Sequence, residues 1–252
     1  MTISEPKPSH MPQLRGLWKA AFGDTDDFLD MFYTRAYAPQ RCRCVLDGDR
    51  LAAVLYWFDC SFGSEKLAYI YAVATDPAYR NRGMCRLLME DAHAHLKALG
   101  YTGALLLPQE PGLRQMYGKM GYRPCTRVSS VTCQAAGEPA VLTRLTPEDF
   151  AALRKTMLPP GSVIQEGENL SFLSGFAEFY RGSDFLLTAF RDGETLIGCE
   201  LLGNVTNAPA IVQAFGLKSG SFRYPGNDLD FAMCTSFTSN FPELSYFGFV
   251  FD

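Results

Sequence analysis

Three patterns of apolar residues follow one another in the first part of the chain, and each predicts a different kind of structure. After Pro12, apolar side chains recur at helical intervals, at Leu14, Leu17 and Trp18. The segment 44–57, CVLDGDRLAAVLYW, predicts two strands joined by an Asp-Gly turn. The segment LAYIYAVA that ends at residue 74 is apolar almost throughout, which predicts a strand covered on both faces.

The same order of helix and hairpin returns later in the chain. Pro147 starts PEDFAALRKTM, which has helical apolar spacing, and Thr146 is placed to cap it. The segment 189–202, AFRDGETLIGCELL, predicts a second strand, Asp-Gly turn and strand. We interpret the two patterns as a duplication and expect two domains, 1–137 and 138–252, joined in QAAGEPAV.

Composition changes at the same junction. From Glu138 onward there are 14 phenylalanines, 14 acidic and 7 basic residues, against 5, 13 and 16 before it. The net charge of −4 speaks against nucleic acid as a partner. No apolar run is long enough to span a membrane and the first residues lack the apolar segment of a signal peptide, so we expect a cytoplasmic protein with no membrane partner.

Cysteine and histidine spacing predicts no metal site. In a chain without an export signal the eight cysteines are expected to be reduced thiols. Cys42 and Cys44 form only a C-x-C, without further close ligands. His93 and His95, near Glu90, lie two apart and do not share a helical face, so we interpret them as solvated polar positions.

The stretch DPAYRNRGMCRLL, residues 76–88, joins the apolar strand to a helix that ends at Gly100. The first amides of a helix have no intrahelical partner and carry a partial positive charge, so this turn predicts an anion site that suits a diphosphate. Gly83 would allow close approach of the ligand. The amides expected to face the phosphates belong to Asn81, Arg82, Gly83, Met84, Cys85 and Arg86.

These residues resemble the acetyl-CoA loop of the GNAT superfamily of N-acetyltransferases. Its pattern is Gln or Arg, two residues, Gly, one residue, then Gly or Ala; Arg80 and Gly83 match, and Cys85 does not. A strand ALLLPQ (104–109) and a helix GLRQMYGKMGY follow, which resemble the family's tyrosine-bearing segment and place Tyr117 on its tyrosine. The chain is most similar to tandem GNAT enzymes of the enhanced-intracellular-survival type, which are aminoglycoside acetyltransferases, without their third domain.

The resemblance implies an α/β GNAT fold, a mixed, mostly antiparallel sheet flanked by helices, followed by a second, degenerate GNAT-like domain without the cofactor loop. It also implies acetyl-CoA as cosubstrate, with the strand segment Val73, Ala74 and Thr75 binding the pantetheine arm and Tyr117 facing the departing sulfur. The proposed reaction is acetyl transfer to a primary amine of a small, cationic acceptor.

Four acidic residues are candidates for the acceptor site or the general base. Asp24, Asp26 and Asp27, expected in the loop after the first helix, could attract a cation or supply a base, although a solvated acidic loop is the simpler interpretation. In the family the chain's terminal carboxylate acts as base but is delivered by the absent third domain, so Asp252 is only a candidate. Its neighbourhood, YFGFVFD, alternates like a closing strand.

Two other functions stay open at this point. The chain could be an acetyl-CoA-binding module whose second domain is a non-catalytic interaction surface. It could also belong to the tandem GNAT aminoacyl transferases that use transfer RNA, but these do not keep the diphosphate turn, and the acidic second half would repel RNA. The sequence leaves open the acceptor, the general base and the oligomeric state, including a homo-oligomer.

Overall fold

The computed structural model describes residues 1–251 and divides into two units. The first unit comprises Met1–Arg123 and Met233–Phe241. The second comprises Pro124–Ala232 and the segment that begins at Pro242. The division at 123/124 differs from the expected junction at 137/138, because a strand at residues 127–134 pairs with the sheet of the second unit.

The first unit contains four α-helices and seven strands. The helices are α1 (Met11–Phe22), α2 (Asp26–Arg35), α3 (Met84–Ala98) and α4 (Pro111–Gly118). The strands are β1 (Thr2–Ser4), β2 (Cys42–Asp47), β3 (Arg50–Phe62), β4 (Glu65–Thr75), β5 (Gly103–Leu106), β6 (Arg123–Pro124) and β15 (Met233–Ser236).

These strands form one mixed sheet in the order β1-β2-β3-β4-β5-β15-β6. From β1 to β15, neighbours are antiparallel except β4 and β5, which are parallel and joined through α3. Pairing of β4 with β5 ends at Tyr69↔Leu105, although β4 continues to Thr75. The last part of β4 therefore runs beyond its partner.

Each face of this sheet is covered by helices. Leu88, Ala92 and Leu96 of α3 pack with Leu55 and Ile70 in one core. On the other face α1 and α2 contribute a cluster of aromatic rings with centroids 4.6–6.4 Å apart. Its members include Trp18, Phe32, Tyr33, Tyr37, Tyr56, Phe58, Tyr69 and Tyr71. Both faces of the strand at 67–70 are buried, as its continuous apolar run predicts.

The second unit contains the remaining elements. Its helices are α5 (Pro147–Met157), α6 (Glu168–Leu173) and α7 (Ala208–Ala214). Its strands are β7 (Arg127–Gln134), β8 (Thr143–Leu145), β9 (Ile164–Gln165), β10 (Glu178–Arg181), β11 (Phe185–Asp192), β12 (Thr195–Gly203), β13 (Ser219–Pro225) and β14 (Leu229–Asp230).

The sheet of the second unit has the order β14-β7-β13-β12-β11-β10-β8. Only β12 and β13 are parallel, and α7 connects them, as α3 connects β4 and β5. Both predicted Asp-Gly hairpins form, but they occupy different places: β2–β3 in the first sheet and β11–β12, which corresponds to β3–β4, in the second. Thr146 caps α5 as predicted, accepting from the Asp149 amide at 3.1 Å.

The end of the chain does not form the strand that its alternation suggested. Between residues 242 and 251 the only bridge in the described part is a single one at Tyr246, to Ser162. Gln165 supplies the hydrogen bonds instead: its side chain donates to the Phe249 carbonyl at 2.7 Å and accepts from the Phe249 amide at 2.8 Å. No helix in residues 1–251 has the length and apolarity to cross a membrane.

Candidate active site

The turn before α3 is built as its sequence predicts. Gly83 stands at the N-cap with φ of 77°, and the preceding Asn81 also has a positive φ, 59°. The Gly83 carbonyl accepts the first helical bond, from the Leu87 amide at 3.0 Å. Asp76 fixes the beginning of the turn because its side chain accepts from the Ala78 amide at 2.8 Å. The start of α3 is thus presented by a backbone conformation that favours glycine.

A β-bulge in β4 redirects the strand beside this turn. Tyr71 pairs with Tyr56 and Ala74 with Val54, so Ala72 and Val73 face the single residue between them on β3. Ala72 has φ of 48°, a conformation that strains a residue with a side chain. After the bulge Val73 packs on the core beneath α3, whereas Tyr71 packs on the aromatic face.

The turn, the bulged strand and α4 line one cavity of about 460 Å³ that is open to solvent. Val73 and Thr75 line it from β4, and Tyr117 lines it from α4. Its other lining residues are Tyr79, Arg80, Asn81, Gly83, Met84, Cys85, Arg86, Leu113, Met116 and Met120. The cavity is therefore basic at the helix start and apolar toward α4.

Tyr117 is the phenol at the apolar end of this cavity. It is 7% exposed, and no hydrogen bond involves its hydroxyl within residues 1–251. Burial, and next the neighbouring Cys85, raise the pKa of Tyr117 above its usual 10. Burial also raises the pKa of Cys85, to about 11. Both groups therefore stay protonated at neutral pH, and the phenol can donate a hydrogen bond.

Most of the residues predicted for the cofactor site line this one cavity. They are Val73, Thr75, Arg80, Asn81, Gly83, Met84, Cys85 and Arg86, together with Tyr117. Two predicted residues do not line it. Ala74 is 3% exposed and lies in the β3–β4 ladder opposite Val54, and the Arg82 guanidinium lies over the Tyr79 ring, 5.7 Å from its centroid.

Tyr79 is a lining residue that the sequence analysis did not identify. Its hydroxyl donates to Asp47 Oδ2 at 2.9 Å, and Arg50 and Arg82 both lie within 5.7 Å of its ring centroid. Its position in AYRNRG, four residues before Gly83, was the available signal. Leu113, Met116 and Met120 were also missed, although they flank Tyr117 on and just after α4 at helical spacing.

Of the acidic residues expected in a loop after α1, only Asp24 lies in the connection. Asp26 and Asp27 begin α2, where Thr25 is the cap. Hydrogen bonds from Lys19 and then Arg15 lower the pKa of Asp26. Asp24 accepts from Trp18 Nε1 at 2.7 Å, at the edge of the aromatic face. Of the three, Asp24 is partly buried and Asp27 is exposed, whereas Asp26 is engaged in ion pairs.

Two other expectations have different outcomes. Asp252 lies outside the described residues. His93 is not a solvated position: it is partly buried and its Nε2 lies 2.7 Å from the Tyr122 hydroxyl, because the turn after α4 packs against α3. No group of three or more potential metal ligands comes together in residues 1–251.

The second unit has different contacts at the corresponding place. The segment between β12 and α7 carries Asn204 and Asn207, whose side-chain amides each donate to Asp184 at 2.9 Å. Asn204 also accepts from the Thr206 amide. This connection contains no Arg-x-x-Gly turn, as expected for a degenerate copy.

Residues 2–125 match the family described as acetyltransferase (GNAT) domain. Comparison with curated protein sequences gives no match. The fold is similar to that of a GCN5-related N-acetyltransferase from Kribbella flavida, with 16% identity, a TM-score of 0.71 and coverage of 92% of this chain and 70% of that chain. A GCN5-related N-acetyltransferase from Anabaena variabilis has 13% identity, a TM-score of 0.71 and coverage of 92% and 72%.

Eis1 from Mycobacterium abscessus is similar over 94% of this chain and 74% of its own, with 11% identity and a TM-score of 0.65. The first unit therefore matches the GNAT acetyltransferase domain family, over just under half of the chain. The predicted fold class, a GNAT fold followed by a second GNAT-like domain, is confirmed. Acetyl transfer from acetyl-CoA is the activity of this family.

Proposed function

We propose that the chain transfers an acetyl group from acetyl-CoA to the primary amine of a small, cationic acceptor. The observation that carries this proposal is the single cavity that joins the start of α3, the bulged end of β4 and Tyr117. The first unit is the proposed catalytic domain. The second unit, which lacks the turn, is proposed not to bind the cofactor.

The residues present fit acetyl-CoA. The free amides at the start of α3, with Arg80 and Arg86 beside them, suit its diphosphate. Beyond Tyr69 the β4 backbone extends past β5, so Val73 and Thr75 can bind the amides of a pantetheine arm in the manner of an added strand. Tyr117 then lies at the end suited to the sulfur.

The reaction needs few groups from the protein. The neutral amine attacks the thioester carbonyl carbon, and the tetrahedral intermediate then breaks its C–S bond, leaving the electron pair on sulfur. Nitrogen loses a proton and the thiolate gains one. Since burial raises the pKa of Tyr117, we assign it a hydrogen bond to the developing thiolate rather than complete proton transfer.

The acceptor is proposed to be cationic because a carboxylate and aromatic rings lie together on the face of β4 opposite to α3. A lysine-like amine needs about 5 kcal/mol to be neutral at pH 7, so such an acceptor arrives as an ammonium ion. Tyr71 precedes Val73 by two residues, and its ring centroid lies 5.7 Å from that of Trp18. The indole Nε1 of Trp18 donates a hydrogen bond to Asp24. A carboxylate beside exposed parts of tyrosine rings suits an ammonium group.

The first test measures acetyl-CoA binding and turnover separately. Thermal shift with acetyl-CoA reports binding, and release of free thiol reports turnover on spermine, neomycin, a lysine peptide and an arylamine. Tyr117→Phe should lower kcat about a hundredfold while the Kd for acetyl-CoA changes less than about twofold, because the hydroxyl acts on the developing thiolate.

Tyr101→Phe is the matched control, since Tyr101 is a buried tyrosine of the same unit whose hydroxyl donates to Asp59 and does not line the cavity. It should keep normal turnover. Unchanged kcat in Tyr117→Phe would remove Tyr117 from the mechanism. Stabilisation by acetyl-CoA without thiol release on any amine would favour a binding module instead.

A further inference from the structure

Nothing polar holds the Tyr117 side chain directly. Since its hydroxyl has no hydrogen-bond partner in the described part of the chain, the direction of the ring depends on what packs against it. Tyr122 lies edge-on to it, with ring centroids 5.8 Å apart and an angle of 66° between the planes. The Tyr122 amide also donates to the Tyr117 carbonyl at 3.1 Å. Tyr122 thus contacts both the ring and the backbone of Tyr117.

Tyr122 is itself fixed by a polar contact. It is 3% exposed, and its hydroxyl lies 2.7 Å from Nε2 of His93. The ring of Phe237 also packs against the imidazole of His93, with ring centroids 5.3 Å apart. Burial lowers the pKa of His93 to about 4, so the imidazole is neutral and Nε2 can accept the Tyr122 proton when Nδ1 carries its own.

This hydrogen bond joins α3, which lines one end of the cavity, to the turn after α4, which lines the other end. His93 lies on α3, the helix whose first residues line the cavity at Gly83, Met84 and Arg86. Tyr122 lies on the turn that follows α4, the helix that carries Tyr117. The distance from the helix start to the phenol therefore depends on a contact between side chains that do not line the cavity themselves.

We propose that His93 and Tyr122 are positioning residues that hold Tyr117 at a fixed place relative to the start of α3. This inference rests on the proposed function, in which the diphosphate and the sulfur of one cofactor are bound at these two places. Loss of the bond leaves acetyl-CoA binding intact and displaces the Tyr117 hydroxyl from the sulfur. Small displacements of a reacting group have large effects on rate.

The first experiment compares Tyr122→Phe with the wild type and with Tyr117→Phe. Tyr122→Phe should lower kcat about tenfold and change the KM for acetyl-CoA less than about twofold, measured with the best amine of the four-member panel. In the Tyr117→Phe background the same substitution should cause no further loss. A residue that acts through Tyr117 has nothing left to position when the hydroxyl is absent.

The second experiment tests the histidine. His93→Leu removes the acceptor and should reproduce the tenfold loss, whereas His93→Gln keeps a polar atom near Tyr122 and should restore kcat to within about threefold of the wild type. Tyr101→Phe, which also deletes a buried hydroxyl, should leave kcat unchanged. If Tyr122→Phe does not fold, the contrast between the leucine and glutamine variants decides the question.

Independently of turnover, the Tyr117 ring signals of ¹³C-tyrosine-labelled protein should shift in Tyr122→Phe and not in Tyr101→Phe. Two results overturn the inference: a full tenfold loss in the Tyr117→Phe background, or unchanged kcat and ring signals in Tyr122→Phe while Tyr117→Phe is impaired. If Tyr117→Phe itself has normal turnover, the role proposed for Tyr117 in the reaction is wrong. That result is distinct from a failure of the positioning role of His93 and Tyr122.

Discussion

At the scale of single residues, burial keeps the side chains of Tyr117 and His93 uncharged. The pKa of Tyr117 is raised and that of His93 is lowered, in both cases chiefly because the charged form would lose solvent. A neutral phenol can donate a hydrogen bond in the cavity, and a neutral imidazole can accept one from Tyr122. The two pKa shifts have opposite directions, and both leave the side chain uncharged at neutral pH.

His93 makes the stability of the first unit depend on pH. Its pKa is about 4 in the folded state against 6.5 unfolded, so between these values only the unfolded chain takes up the proton. Stability is therefore unaffected above pH 6.5 and falls as the pH drops toward 4, by up to about 3 kcal/mol. Urea unfolding of the wild type and His93→Gln at several pH values measures this difference.

His93→Gln lacks the titrating group, so its stability should fall less on acidification than that of the wild type. The gap between the two curves should open below pH 6.5 and be constant above it. Parallel curves from pH 7 to pH 4.5 would show that His93 titrates as an exposed histidine, contrary to its position beside Tyr122 and Phe237.

Single residues also show what the sequence could and could not reveal. The apolar strand before Gly83 and the helical spacing after it were sufficient to predict the turn, because its conformation is local. The role of His93 was misjudged, because helical spacing shows which residues share a face but not what packs on it. Tyr122 is 29 residues away, and only the folded contact joins them.

At the scale of elements, α3 has glycines of similar conformation next to both of its ends. Gly83 has φ of 77° and Gly100 has φ of 81°, and a Cβ added at either would meet no atom within 4 Å. Either alanine variant is therefore strained by its backbone alone. Gly83, however, lines the cavity, whereas Gly100 lies beyond the other end of the helix.

Gly83→Ala and Gly100→Ala should each destabilise the protein by about 1 kcal/mol, since alanine is disfavoured at positive φ. Only Gly83→Ala should weaken acetyl-CoA binding, because the turn presents the amides proposed for the diphosphate. Calorimetry of acetyl-CoA binding, with unfolding curves of both variants, separates the two effects. Equal loss of affinity in both variants would argue against a diphosphate at the start of α3.

Several elements defined by local pattern were predicted, although the alternation at the end of the chain predicted a strand that does not form. Elements defined by distant pairing were not predicted. Helix α3 and both hairpins form where periodicity and Asp-Gly turns place them. The bulge at Ala72 was not foreseen, since an apolar run carries no mark of where its register shifts. The pairing of β15 with β5 was also not foreseen, because these strands are more than a hundred residues apart.

At the scale of the whole molecule, strand pairing follows neither the order of the chain nor its composition. β15 follows most of the second unit yet joins the first sheet, and β7 belongs to the second sheet although it precedes the composition change. Composition thus showed where the content of phenylalanine and charged residues changes, whereas strand pairing sets the boundary between the two units. Each unit is held together by contacts of its own.

In the second unit one such contact is a buried ion pair. Arg154 donates from Nε and a terminal nitrogen to Glu200 at 2.6 and 2.8 Å, and the two side chains are 2% and 1% exposed. Tyr246 donates to the same carboxylate at 3.0 Å, and the guanidinium lies 4.0 Å from the Phe249 ring centroid. The pair therefore ties α5 and β12 to the last residues of the chain.

Glu200→Gln should destabilise the second unit by about 3 kcal/mol, because it leaves the Arg154 charge buried without its counter-charge. Hydrogen exchange near Tyr246 should accelerate, since that segment is held through the same carboxylate. Glu194→Gln is the matched control: its partner Lys218 is 74% exposed, and the loss should stay below about 1 kcal/mol. Replacing both Arg154 and Glu200 by methionine should recover part of the loss, because no unpaired charge remains. If the two glutamine variants unfold at the same urea concentration, the buried pair does not stabilise the unit as its geometry indicates.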